Sequence, residues 1–114
     1  MRKRRRQHRF TVRGHPIAKA RPRFSGKHVY TPKRTLTAQA SIAEAYDGPF
    51  FEGPVSVSCV FSKDRTVITI TELEEDPSVL RGDTTNYLKT VEDALNGVAY
   101  EDDRQVQRVV GKKR

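Results

Sequence analysis

The stretch from Gly82 to Val106, GDTTNYLKTVEDALNGVAYEDDRQV, decides how this chain is read. Taken as a helix from about Thr85 to Leu95, it puts Tyr87, Leu88, Val91, Ala94 and Leu95 on one arc. Thr85, Asn86, Lys89 and Asp93 fall on the opposite arc. The apolar arc is expected to pack, which leaves the polar arc for chemistry. Asp83 stands just before the first turn, where free backbone N–H groups and the helix dipole favour an anion. Asn96-Gly97 supplies the stop and the turn. The chain then doubles back through Val98 to Tyr100, a course that can carry Glu101, Asp102 and Asp103 towards the end of the helix where Asp83 lies. Carboxylates placed at both ends of one helix suggest a metal site.

With 114 residues the chain is long enough for one core and too short for two catalytic lobes, so a single domain is expected over 10–114. The net charge of +8 is unevenly spread: all fourteen acids lie between Glu44 and Asp103, and thirteen of the twenty-two Lys and Arg lie at or before Arg34. A basic front of this kind attracts a phosphate backbone through a sequence-independent, salt-sensitive term, which makes nucleic acid the leading partner. Cys59 is the only cysteine and sits in a strand-like run, so disulfides and thiolate zinc sites within one chain are excluded and a packing role is expected. No apolar run approaches the length of a signal h-region or a membrane span. A soluble, cytoplasmic protein is expected.

Residues 1–9, MRKRRRQHR, hold no apolar residue after the initiator and read as a disordered basic tail; Arg4, Arg5 and Arg6 are its phosphate-binding candidates. A solubilising tail is the plainer alternative. Phe10 to Gly14 alternates as a short strand, and the prolines that follow hold His15 to Phe24 extended. Lys19, Arg21 and Arg23 alternate along that arm, so an extended backbone directs them to one side, towards DNA, with Lys27 beyond the arm as a further contact. The plainer reading of the arm is a solvated loop. His28-Val-Tyr30 reads as a brief strand, with His28 a surface residue because no second His or Cys stands at ligand spacing. An alanine-rich helix with a Thr cap is expected over Thr35–Tyr46, and Phe50-Phe51 is either a core edge or a subunit contact. Val55–Phe61 and Thr66–Leu73 form a hairpin around Ser62-Lys-Asp-Arg65. The acids at Glu72, Glu74, Glu75 and Asp76 then read as a solvated turn, and Gln105–Val110 as a last strand. No P-loop, dinucleotide glycine fingerprint or nucleophile elbow is present, so no organic cofactor is implied.

In order along the chain stand Gly14-His-Pro16, Lys19-Ala-Arg-Pro-Arg23, Tyr30-Thr-Pro32, Asp83-Thr-Thr-Asn86, Lys89, Asp93-Ala-Leu-Asn-Gly97 and Asp102-Asp-Arg-Gln-Val106. This series resembles the RusA-like Holliday-junction resolvases, endonucleases common in phages and prophages. The resemblance implies an α+β fold with a small mixed β-sheet and two main helices. It also implies Mg²⁺-dependent (or Mn²⁺-dependent) hydrolysis of phosphodiesters at four-way DNA junctions, in recombination and repair, by a homodimer in the cytoplasm of a bacterial host. Metal ligands then fall on Asp83 and Asp103, and the catalytic lysine on Lys89. One family acid, the second of D-x-D-N, falls on Thr85, and a neutral hydroxyl there withdraws a charge and a strong oxygen ligand from the cation. Either Asp102, Glu101 or Asn86 makes up the loss, or the protein binds junctions and cuts them weakly or not at all. For Lys89 the plainer role is an ion pair with Asp93 at i+4. A basic RNA-binding protein is the unrelated alternative, and the ordered carboxylates count against it.

Overall fold

The structure, a computed structural model, describes residues 6–19 and 23–114, with the backbone alone at 23 and 24. In chain order it contains β1 (Gln7–Arg13), β2 (Arg23–Ser25), β3 (His28–Tyr30), α1 (Lys33–Ala45), β4 (Val55–Ser62), β5 (Arg65–Glu72) and α2 (Thr84–Leu95), followed by a 3₁₀ turn at Asp103–Gln105. A small sheet and two helices make it an α+β protein, as expected from the sequence. The chain divides into two compact units, Met1–Glu75 and Asp76–Arg114.

In the first unit, β1, β5 and β4 form one sheet in that order, and β2 pairs with β3 around Gly26. Both sheets are antiparallel rather than mixed: β2–β3 and β4–β5 are hairpins, and β1 joins β5 antiparallel across the intervening chain. The β4–β5 hairpin turns at Lys63-Asp64, and its tip is fastened to the end of β1 by Gly14 N–H to the Asp64 carbonyl at 2.8 Å. β1 begins at Gln7 rather than Phe10, so Gln7–Arg9 belong to a strand and not to a tail. Register explains why. His8, Phe10 and Val12 stand opposite Ile70, Ile68 and Thr66, and residues directly opposite in antiparallel strands share a face. On the other face Gln7 and Arg9 donate to the hydroxyls of Thr71 and Thr69.

The inner face is covered by α1. This helix starts at Lys33, directly after Pro32, and not behind a Thr35 cap; the Pro32 carbonyl accepts the N–H groups of Thr35 and Leu36 at 3.1 and 3.2 Å. Thr35 instead lies buried in the first turn. At the far end, Tyr46 meets Phe10 and His8 edge-on, with ring centroids 5.2 and 5.3 Å apart. The cover is narrow. Ile68 is the one buried apolar residue among those described, and all eight residues of β4 are exposed, although Val57, Cys59 and Phe61 share the face of Ile68. Cys59 is therefore an exposed edge-strand thiol and not a packing residue.

In the second unit, α2 spans Thr84–Leu95, but no residue of its apolar arc is buried, and Tyr87 and Val91 are 44% and 55% exposed. The expected strand at Gln105–Val110 is absent; past the 3₁₀ turn the chain has no sheet neighbour. It returns along α2 instead, bringing Gly111 so close to Leu88 that a Cβ there would lie 2.8 Å from the leucine side chain. Ser78 Oγ then donates to the Arg114 carbonyl at 2.9 Å. Among the described residues, no helix is long and apolar enough to cross a membrane.

Candidate functional site

Asp83 is placed by its neighbours on both sides. Gly82 N–H donates to the Tyr87 hydroxyl at 3.2 Å, and Lys113 Nζ donates to the carbonyls of Gly82 and Leu80 at 3.1 and 3.4 Å. A Cβ on residue 82 would stand 2.8 Å from Tyr87 Cζ, so any larger residue there requires the tyrosine ring to shift. Asp83 itself is the extended N-cap residue, and its carbonyl accepts from Asn86 and Tyr87 N–H at 3.0 and 3.2 Å. Its carboxylate makes no cap bond and is exposed. Thr85 and Lys89 are exposed on the helix that follows. No ion pair joins Lys89 to Asp93 among the described residues, so this lysine is not engaged as a helix-face pair.

The other end of α2 is closed by Asn96 and by Gly97, whose φ of +79° places it in the left-handed region. Gly97 N–H donates to the Tyr100 carbonyl at 2.7 Å, and the Tyr100 hydroxyl donates back to the Glu92 carbonyl at 3.0 Å. Removal from water, and then the carboxylates of Asp103, Glu92 and Asp93, push the Tyr100 phenol above its ordinary pKa. The return of the chain thus brings Asp103 within electrostatic reach of Tyr100, a residue that also senses Glu92 and Asp93.

The turn bearing Asp103 is tightly specified. Gln105 Oε1 accepts the N–H groups of Glu101 and Asp102 at 2.8 and 3.1 Å, while Asp102 Oδ1 accepts from Arg104 N and Nε at 2.8 and 3.3 Å. The backbone bond from Arg104, and then the bond from its side chain, hold the Asp102 carboxyl below its usual range. Asp102 is therefore employed in building the turn. Asp103 is not: its Oδ1 is buried with no hydrogen-bond partner, the one such side-chain atom among the described residues. An unsatisfied buried acceptor costs about 1–3 kcal/mol, and more when charged, so its surroundings favour a cation.

Among the described residues no three His, Cys, Asp or Glu side chains form a metal-binding group, so the expected gathering of acids is not seen as a three-carboxylate cluster. Mg²⁺ does not require one. It is commonly held by one or two carboxylates plus waters and substrate phosphate, and an unsatisfied anionic oxygen is a donor of the right hardness. Asp103 offers such an oxygen and Asp83 an exposed carboxylate, while Asp102 is committed to the turn and Thr85 offers a neutral oxygen.

Of the DNA-binding candidates, Lys19 and Lys27 are exposed. Arg6 pairs with Glu72 at 3.5 Å and lies over the Phe51 ring at 5.2 Å, so it is tied to the sheet. Arg4, Arg5, Arg21 and the side chain of Arg23 lie outside the described residues. Gln105 and Lys113 are positioning residues that the sequence reading passed over. Gln105 had a signal, three residues beyond a capping acid. Lys113 had none, because its partners are distant backbone carbonyls.

A comparison with known families matches the model described as Endodeoxyribonuclease RusA to residues 13–114. No curated protein and no solved structure matches the chain significantly. The match runs from the end of β1 through the capped helix α2 and the Asp102–Gln105 turn to the last residue, so this chain belongs to the RusA family of endodeoxyribonucleases, hydrolases that cleave DNA.

Proposed function

We propose that this protein is a Mg²⁺-dependent endonuclease that cuts four-way DNA junctions as a homodimer. The reading rests on the buried, unpartnered Oδ1 of Asp103, held on a turn built by Gln105 and Asp102 within the family's matched span. Asp103 and Asp83 hold the cation. When bound, it lowers the pKa of a water and offsets charge growing on the phosphate and the leaving oxygen. Lys89, exposed and free of an ion-pair partner among the described residues, neutralises the transition-state phosphate or orients the attacking water. A homodimer suits the substrate, since a four-way junction has two-fold symmetry and a C₂ pair presents one site to each of two opposed strands. Phe50, 84% exposed, and the apolar row on β4 provide surface for a partner protomer to cover.

Asp83→Asn and Asp103→Asn should each remove cleavage while junction affinity stays equal or rises, because a repulsive charge near phosphate is lost. Cleavage at the parental rate by either variant would overturn the assignment. The second reading, a junction-binding protein that cuts weakly, is favoured by one feature, the neutral Thr85 where the family places an acid.

A further inference from the structure

A cavity of ≈ 530 Å³ in the first unit lies between the end of β1 and one side of α1 from Lys33 to Ile42, and none of the carboxylates considered above lines it. This falls within the roughly 300–1,000 Å³ usual for sites that take a small organic group. Its apolar walls are Val12, Ile17, Ala38 and Ile42. Arg13, Lys33 and Arg34 line it as well, no acid does, and none of the three cations has a carboxylate partner among the described residues. Lys33 and Arg34 occupy the first turn of α1, which has no side-chain cap and no acid. Cations are disfavoured at that end of a helix, and an anion there relieves the conflict.

Two further groups make this more than a charged surface. Thr66 is 8% exposed, lines the cavity, and makes no side-chain hydrogen bond among the described residues. His15 also lines it, and its Nδ1 donates to the Lys63 carbonyl at 2.8 Å. A carbonyl only accepts, so the neutral ring carries its proton on Nδ1 and leaves Nε2 as an acceptor. The site thus offers apolar walls, the hydroxyls of Thr37, Ser41 and Thr66 that both donate and accept, one ring acceptor, and a cationic rim.

We propose that this cavity receives a single unstacked nucleotide of the bound DNA. The base would lie against Val12, Ile17, Ala38 and Ile42 with its polar edge on Thr66 and His15, and its phosphate on Arg13, Lys33 and Arg34. Inorganic phosphate alone leaves the apolar walls unused, and a paired base cannot enter without being extruded, at a cost that is least where pairing is already broken. The cavity therefore favours DNA with an opened branch over continuous duplex. This rests on the reading of the protein as a branch-selective DNA enzyme and adds where the branch is recognised.

The test uses the full chain and two probes: a single-stranded pentanucleotide with central 2-aminopurine, and a four-way junction with 2-aminopurine at the branch. Binding should raise the emission of both probes as the base leaves its stacked neighbours for aliphatic walls. Ala38→Leu, which fills the cavity, and Thr66→Val, which removes the hydroxyl at nearly constant shape, should each abolish most of the rise and weaken pentanucleotide binding about tenfold. Binding to plain duplex should stay at the parental level. If Ala38→Leu fails to fold, Thr66→Val decides alone. Unchanged emission on saturation of the parent, or a parental response in Thr66→Val, overturns the proposal. Nicking of the junction without an emission response would leave the nuclease reading standing and remove this one. A pocket-dependent response without junction nicking would do the reverse.

Discussion

Asp103 is set apart from the other acids by what its neighbours do. Gln105 and Asp102 consume the polar valence of the turn, so the one carboxylate oxygen left buried and unmatched is that of Asp103. Gln105→Ala removes both side-chain bonds that shape the turn and should lower cleavage roughly 10- to 100-fold by misplacing Asp103, with far-UV circular dichroism and duplex binding unchanged. Parental activity would show that the turn does not position Asp103. Thr85→Asp restores the family's missing charge and should raise the rate at limiting Mg²⁺; no gain with the fold intact would mean that another residue already completes the site. The Arg104 bonds depress the Asp102 pKa, so their contribution is present above the unfolded carboxylate pKa and lost as pH falls through the lowered value. Arg104→Ala keeps the larger cause, the backbone bond, and removes the side-chain bond, so it should raise the Asp102 pKa part of the way towards its ordinary value in an NMR titration; an unchanged titration would show that the side chain contributes nothing. Asp83, Lys89 and Asp103 were legible as letters in a motif. The isolation of Asp103 Oδ1 was not, because burial is a tertiary property.

The elements were legible where a local signal fixed both ends. For α2 the acid before the first turn and Asn96-Gly97 after the last bracket an amphipathic run, and the helix observed differs from the expectation by one residue at its start. The β4–β5 hairpin was clear from two β-branched runs around Lys63-Asp64. The start of β1 was hidden because Gln7 and Arg9 sit on its polar face and read as part of the basic run before it. The last strand was expected from apolar alternation alone, and alternation cannot supply a partner strand; Gly111 against Leu88 and Lys113 on Gly82 hold that segment to α2 instead. Gly82→Ala forces Tyr87 to move and should destabilise by about 1–3 kcal/mol in urea unfolding, with cleavage falling in the fraction that remains folded because Asp83 is displaced. An unaffected midpoint would show that Tyr87 yields freely and that the tight approach does not fix Asp83.

For the whole molecule the decisive quantity is charge, +8 with its cations weighted to the front of the chain. Because Gln7–Arg9 lie in β1 and Arg6 pairs with Glu72, removing residues 2–5 takes away four cations without cutting into the sheet. That deletion should weaken binding to junction and duplex alike and reduce the slope of log K against log salt by up to about 0.9 for each phosphate that the tail no longer neutralises. The reading of Lys19, Arg21 and Arg23 as a row of cations facing DNA predicts that neutralising Arg21 and Arg23 together costs more on the junction than on duplex. Equal losses on both substrates in gel-shift titrations would remove structure selectivity from the arm. Metal-dependent junction cleavage through Asp103 is read out by incubating purified protein with an end-labelled four-way junction, with and without Mg²⁺. Paired nicks in opposed strands that require the cation and vanish in Asp103→Asn are expected; an intact junction under saturating Mg²⁺, or nicking by Asp103→Asn, would overturn the assignment of Asp103.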